Sequence, residues 1–351
     1  MIPKDSILDG YADLVSDSYD RFDNLFGKRD ISVITVQDDE DGLCILSCFT
    51  AGVAGAAGEP VEFSYHVAQD PAVATQDYVD DFVGRVERRL RFEDQEIIDG
   101  QMTASPGFDR FEHALLMRDR IFGDIAVAHD AGERVVPIIT VVPLTEAEVV
   151  SLSAMPPRVR PDVLTHLTPH QFCDFSRDTR SEYTVERAVR LLWHEIRDRH
   201  AQHNTYAYQS VLAAADFAET EDKAIAQLEG RLGRRLPVDL AYSWKIQGRR
   251  CYLTDYQYID ARRVLDFMFP DTAIEGFAWN RDLIPFLEDS GGNMVCVDCS
   301  ADTDQQIVLV ETHEGPIRTE TYSFYSWLAQ YRADLTGDVY RLDDDGFLEP
   351  R

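Results

Sequence analysis

Ile284-Pro285-Phe286-Leu287-Glu288-Asp289-Ser290-Gly291-Gly292-Asn293-Met294-Val295-Cys296-Val297-Asp298 is the stretch from which the fold reads outward. Gly291, Gly292 and Asn293 supply the positive-φ positions of a tight turn. The turn enters an apolar strand, Met294–Asp298. Further strands are expected at Cys251–Tyr258 and Gln306–Glu311. A closing helix, Phe324–Leu335, starts at the cap Ser323 and packs Phe324, Trp327 and Leu328 at helical spacing. Upstream, a helix over Lys223–Leu232 stops at Arg234-Arg235-Leu236-Pro237, and a second runs Val238–Trp244 and ends near Gly248. Helix, helix, several strands, helix is an α+β order.

The N-terminal half reads as a second α+β unit. Ile7, Leu8, Tyr11, Leu14, Val15, Tyr19 and Phe22 recur every three or four residues and predict a helix over 6–26. Ile31–Val36 and Leu43–Phe49 predict a hairpin about an acidic turn, and Val61–Val67 a strand after the glycine-rich loop Ala51–Gly58. Tyr78–Leu90 is a helix with Tyr78, Phe82, Val86 and Leu90 on one stripe. Arg134–Val142 is a β-branched strand at or near the sheet centre, followed by Thr145 as the cap of a helix with acids in its first turn. Met155–Pro169 reads as loop, Tyr183–His203 as a charged amphipathic helix, and Thr205–Glu221 as helix or linker. The expected organisation is α+β with two domains, each a mixed or antiparallel sheet with flanking helices. The boundaries are 1–181, a helical linker 182–221, a second domain 222–336 and an acidic tail 337–351 whose end, from Asp343, is solvated.

Charge narrows the function classes. The 351 residues carry 63 Asp and Glu against 34 Lys and Arg, a formal net charge of −29. That field repels nucleic acid and anionic membrane surfaces and favours basic partners. Solubility alone is the bland alternative. The apolar run Val135–Leu144 is too short and proline-broken to span a bilayer. Met1–Gly10 has no secretory pattern, so a cytoplasmic location is expected. The six cysteines lie mostly in apolar runs and read as buried reduced thiols.

No motif supports catalysis, a metal or a cofactor. Gly52, Gly55 and Gly58 match neither phosphate-binding glycine pattern. His194-Glu195 lacks a second histidine at the zinc-protease spacing, and His200 and His203 read as solvated. Cys296 and Cys299 have redox spacing without a helix N-terminus to lower a thiol pKa. Asp38–Gly42 fails as a calcium loop because Gln37 and Cys48 occupy ligand positions.

Three segments resemble the SUKH superfamily (Smi/Knr-like). They are Ile225–Glu229 through Leu232-Gly233-Arg234-Arg235-Leu236-Pro237-Val238-Asp239-Leu240, then Ile284–Asp298, then Ser323-Phe324 with Trp327-Leu328. Between Gly248 and Trp279 no family pattern aligns. The first half resembles, less sharply, the suppressor-of-fused family. The segments are the glycine-rich stretch after Phe49, Val61–Phe63, Tyr78–Leu90, Val135–Val142 with Pro143–Glu148, and Asp174-Phe175-Ser176-Arg177.

Both resemblances imply protein binding without a cofactor. In bacteria both families are associated with immunity proteins that neutralise contact-delivered toxins, and their fusion resembles a polyimmunity arrangement. The expected function is therefore occlusion of a basic toxin domain, a nuclease. A regulatory scaffold binding some other protein is the alternative, and an enzyme with an unrecognised site is a third. Candidate partner-binding residues, taken as exposed acids and aromatics, are Asp255, Tyr256, Tyr258, Asp282, Glu288 and Asp304.

Overall fold

A computed structural model describes residues 4–14, 19–23, 25–26, 30–40, 43–53, 61–70, 72–90, 99–104, 111–121, 123–129, 132–168, 173–175, 177, 182–203, 211, 218–248, 250–270, 279–300, 306–311, 315–319, 321–337, 339–342 and 348–351. The chain divides into two compact units, residues 1–151 with 164–183, and 152–163 with 184–351.

The first unit is built on a mixed sheet. Its strands are β1 (Asp20–Phe22), β2 (Ser32–Glu40), β3 (Leu43–Ala51), β4 (Glu62–Ala68), β5 (Gln101–Ala104), β6 (His113–Arg118), β7 (Asp124–His129), β8 (Gly132–Leu144) and β9 (Cys173–Asp174). The order is β1-β2-β3-β4-β8-β6-β5, with β7 on β8 and β9 on β4. The expected hairpin is β2–β3, running from Ser32 opposite Ala51 to Glu40 opposite Leu43. β8 is central, pairing parallel with β4 and antiparallel with β6 and β7.

Side chains alternate along a strand, and β4 uses both faces. Phe63, Tyr65 and Val67 pack with Tyr78, Val79, Phe82, Val86 and Leu90 of α2 (Thr75–Leu90). On the opposite face, Ile7, Leu8 and Tyr11 of α1 (Lys4–Leu14) cover Ile34, Phe49, Ile125, Val136 and Ile138. α1 is shorter than its apolar spacing predicts. Asp20–Phe22 pairs instead with Val33–Thr35, because the open backbone edge of β2 outweighs a helical period there. α3 (Glu146–Ser153) starts with a reciprocal cap: Glu148 N–H donates to Thr145 Oγ1 (3.3 Å) and Thr145 N–H to Glu148 Oε2 (2.7 Å). Met155–Pro169, expected as loop, contains a 3₁₀ turn (Pro157–Val159) and α4 (Arg160–Leu167). Pro157 and Pro161 occupy first-turn positions, where a missing N–H breaks no bond.

The second unit holds α5 (Val185–His203), α6 (Ala218–Leu232), α7 (Val238–Ile246), β10 (Cys251–Tyr252), β11 (Gln257–Tyr258), α8 (Ala261–Met268), β12 (Leu283–Glu288), β13 (Met294–Asp298), β14 (Ile307–Glu311), β15 (Gly315–Arg318), α9 (Phe324–Thr336), β16 (Tyr340–Leu342) and β17 (Leu348–Pro350). Strands β10 to β15 form an antiparallel meander in chain order. At the turn that opens the reading, Gly292 has φ 85°. Asp289 Oδ1 accepts from the N–H groups of Gly291 and Asn293, both at 2.8 Å. A bulge between Pro285 and Leu287 accompanies Phe286, which meets Phe324 and Trp327 of α9 with ring centroids 5.1 Å from each. The other face gathers Leu283, Met294, Cys296 and Val308 under Phe267 and Trp279.

Two boundaries differ from expectation. α5 lies inside the second unit rather than in a linker. Its buried Trp193 donates from Nε1 to Ser243 Oγ (2.8 Å) and stands edge-on to Tyr258 at 5.2 Å. Leu348–Pro350, expected as solvated tail, pairs with Tyr340–Leu342 and buries Leu348.

Candidate functional site

The predicted partner-binding residues scatter. Asp255 is exposed in the turn between β10 and β11, and Tyr256 beside it is half-buried. Burial raises the Tyr256 phenol pKa, and the charges of Asp289, Asp255 and Glu311 raise it further. Asp255 and Asp289 lie in the β10–β11 and β12–β13 turns and Glu311 ends β14, so alternate connections of the meander put an acidic rim around a tyrosine at one end of the sheet. Glu288 borders it through its pairing with Gln257, and its carboxylate is held by Arg263 Nη2 at 3.0 Å. Asp289 and Glu311 were not singled out from sequence. The signal available was the hairpin spacing, which puts alternate turns at one end of a meander.

Asp282 lies at the other end of β12, where Arg234 Nη1 donates to its Oδ1 and to Cys299 O, both at 2.8 Å. Tyr258 is a correction. It is fully buried, with its hydroxyl 2.7 Å from Ser243 Oγ, so it belongs to the core and not to a surface. Asp304 lies outside the described residues.

Buried polar groups are the other place to look for chemistry. In the first unit, His66 Nδ1 lies 2.9 Å from Ser47 Oγ and Nε2 lies 2.7 Å from Asp119 Oδ2. Asp119 Oδ2 also accepts from Ser64 Oγ (2.5 Å) and Thr140 Oγ1 (3.0 Å), and Oδ1 accepts from Ile121 N–H (2.9 Å). Ser, His and Asp stand here in the order of a hydrolase relay. Their exposures are 6, 2 and 6%, and Ser47 sits mid-strand with Val36 on one side and His66 on the other. A substrate would have to open the sheet to reach the hydroxyl. The cluster satisfies polar groups under α1; it does not present a nucleophile. Its signal in the sequence was the polar alternation Glu62, Ser64, His66 on an otherwise apolar strand.

Arg177 closes the same unit. Its Nε and Nη2 reach Glu148 Oε1 and Oε2 at 2.7 Å each, Nη1 donates to Asp174 O and Nη2 to Pro143 O at 2.8 Å. The guanidinium stacks between Phe111 (4.4 Å) and Tyr183 (4.1 Å). Burial disfavours the Glu148 charge, but the Arg177 hydrogen bonds and charge more than offset it and hold the carboxyl below its usual range.

Two carboxylates of the second unit instead have raised pKa values. Burial pushes Asp239 up to about 6, although its Oδ2 accepts from Tyr325 N–H (2.7 Å) in the first turn of α9 and its Oδ1 from Leu240 N–H (2.9 Å). Burial, then the charge of Asp260, pushes Glu221 to about 7, opposed by a 3.1 Å bond from Ala261 N–H. Each carboxylate tethers the N-terminus of another helix. The thiols are inert: burial pushes Cys299 and Cys251 to about 12 and Cys296 higher. His200, expected in solvent, is buried with Nε2 2.9 Å from Tyr331 Oη. Among the described residues no group of three or more His, Cys, Asp or Glu side chains is placed to hold a metal, and no helix is long and apolar enough to cross a membrane.

Comparison with known proteins addresses the second unit directly. Residues 219–330 match the SMI1 / KNR4 family (SUKH-1), so this part of the chain carries a SUKH domain. The match includes Asp239, the acidic rim and the Gly291–Asn293 turn. No curated protein matches the chain. Solved structures similar over the N-terminal half include that of the Sufu–Fu complex, at 11% identity, 50% of this chain, 90% of that one and a TM-score of 0.40. Another is Drosophila Suppressor of Fused, at 10% identity, 50% of this chain, 49% of that one and a TM-score of 0.39. The chain thus spans about half the length of the Drosophila protein's structure.

Proposed function

We propose that the chain is a non-catalytic immunity protein, acting in the cytoplasm, whose SUKH domain binds a toxin domain, a nuclease, and blocks it by occlusion. The observation that carries this reading is the family match over residues 219–330. The resemblance implies protein binding, and the buried carboxylates Asp239 and Glu221 of this unit tether helix N-termini instead of facing a cleft.

Electrostatics supports the choice of partner. A nuclease must present a basic cleft to its substrate, and a chain of net charge −29 complements such a cleft. The contact surface we favour is the rim of Asp255, Tyr256, Glu288, Asp289 and Glu311, with Asp282 a separate acidic position. Tyr256 would supply the aromatic anchor and the carboxylates the charge.

Coexpression with the toxin encoded beside this gene tests the reading. Restored growth and a copurifying complex are expected. No rescue and no complex would sink it. A stable complex with an endogenous protein that is no toxin, without rescue, would instead establish a regulatory scaffold.

A further inference from the structure

Phe269 caps the C-terminal end of α8 and is half-buried. Two exposed arginines face its ring. Arg231, in the last turn of α6, has its Cζ 5.5 Å from the ring centroid, and Arg281, just before β12, has its Cζ at 5.3 Å. Beneath them the backbone is fixed, because Arg234 Nη2 donates to Arg281 O at 2.8 Å while Nη1 holds Cys299 O and Asp282.

This arrangement is unexpected in so acidic a chain. With 63 acids for 34 bases, a surface arginine finds a carboxylate readily. Arg235 pairs with Glu229 at 3.1 Å, Arg262 with Asp266 at 3.2 Å and Arg318 with Asp298 at 2.6 Å. Among the described residues, neither the Arg231 nor the Arg281 guanidinium has a hydrogen bond or ion pair; each has only the shared ring. Two cations confined to one ring lie no more than about 11 Å apart, where repulsion is only partly screened at physiological salt. The α6 dipole accounts for a cation at Arg231 alone. It does not account for a second one on the same aromatic.

We propose that Arg231, Phe269 and Arg281 form a docking surface for an acidic segment of a protein partner, separate from the acidic rim. The two guanidiniums supply planar donors for Asp or Glu carboxylates, and the Phe269 ring an apolar contact between them. Arginine and large aromatics are the residues that dominate protein interfaces. A basic segment is repelled at this surface. A nucleic acid, a long polyanion, is repelled by the whole chain, whereas a short acidic segment carries too few charges to be excluded.

The full chain is titrated with a fluorescein-labelled peptide alternating Glu and Phe, and binding is read by anisotropy. Wild type is compared with the double variant R231Q/R281Q and with R190Q, an exposed arginine paired with Glu186. Wild type and R190Q bind, and the double variant binds at least about tenfold more weakly. R281Q alone gives an intermediate loss, with tryptophan fluorescence unchanged as a check on folding. Equal binding by the double variant overturns the proposal, as does no binding by wild type. So does tighter binding of an RNA oligonucleotide that the double variant loses. None of these outcomes depends on whether a toxin is rescued.

Discussion

Arg177 shows how much one side chain can hold. Its guanidinium is buried with Glu148 and donates to two carbonyls, so removing it strands a carboxylate inside the first unit. Breaking a buried pair from one side costs ~3–5 kcal/mol. Arg177→Met should therefore lower the first unit's unfolding free energy by that amount, read as a lower urea midpoint at unchanged slope. All four tryptophans (Trp193, Trp244, Trp279 and Trp327) lie in the second unit. A far-UV dichroism transition that shifts while tryptophan fluorescence does not would assign the loss; a change under ~1 kcal/mol would refute it. Asp239 behaves oppositely. Its folded pKa, about 6, lies above the ordinary ~3.9, so the folded state binds the extra proton between them. That stabilisation, ~3 kcal/mol in full, is present below pH ~4 and lost as pH rises to about 6. Glu221 extends the same trend to about 7. The fluorescence-detected urea midpoint should fall over this range, and Asp239→Asn should flatten the slope; an unchanged slope would rule the assignment out. Little of this was legible at the residue scale. Tyr258 and His200 are polar-tipped residues that a linear pattern places at the surface, and partners distant in sequence, Ser243 and Tyr331, satisfy their polar tips in the core.

Elements were read better where a local signal and the tertiary environment agree. The Thr145–Glu148 cap, the β2–β3 hairpin, the Gly292 turn and the Ser323 cap all carry their reason within a few residues. Where they disagree, packing decides. Asp20–Phe22 continues a helical apolar period, yet an open strand edge captures it. α8 lies within the span that aligned with no family pattern, its Asp260 cap accepting from Arg263 N–H at 2.7 Å. α5 is the instructive case. Its charge and length suggest a linker, and it lies outside the 219–330 match, but its inward stripe completes the second core. Arg197 Nη2 donates to Ile246 O (3.0 Å) and Gln247 Oε1 (2.8 Å), adding a polar seam to the Trp193 contacts. Trp193→Ala should cost ~3–5 kcal/mol in the tryptophan-detected transition, and Trp193→Phe less, since it keeps the ring against Tyr258 and loses only the bond to Ser243. If the alanine variant unfolds like wild type, α5 is a tether and not part of the core.

At the scale of the whole molecule, the acidity legible in the composition has a location that composition alone does not give. The rim around Tyr256 gathers Asp255, Asp289 and Glu311 at one end of the sheet, while among the described residues the Arg231 and Arg281 guanidiniums have no carboxylate partner. Net charge acts at long range, so its signature is kinetic. Association of a −29 chain with a basic domain is accelerated by steering, and that acceleration falls as salt shortens the Debye length from ~10 Å at 0.1 M to ~3 Å at 1 M. Dissociation, governed by short-range contacts, should change far less. If the proposed toxin domain is the partner, raising NaCl from ~0.05 to ~0.5 M should thus slow association with it by at least about tenfold, measured by stopped-flow fluorescence of the four tryptophans. Replacing Asp255, Asp289 and Glu311 together by Asn and Gln removes three charges of twenty-nine. If the rim is the contact, that variant should lose affinity chiefly through faster dissociation while keeping most of the salt dependence. If the rim is only part of a diffuse field, both rates should stay within about twofold of wild type, and the contact must be sought elsewhere.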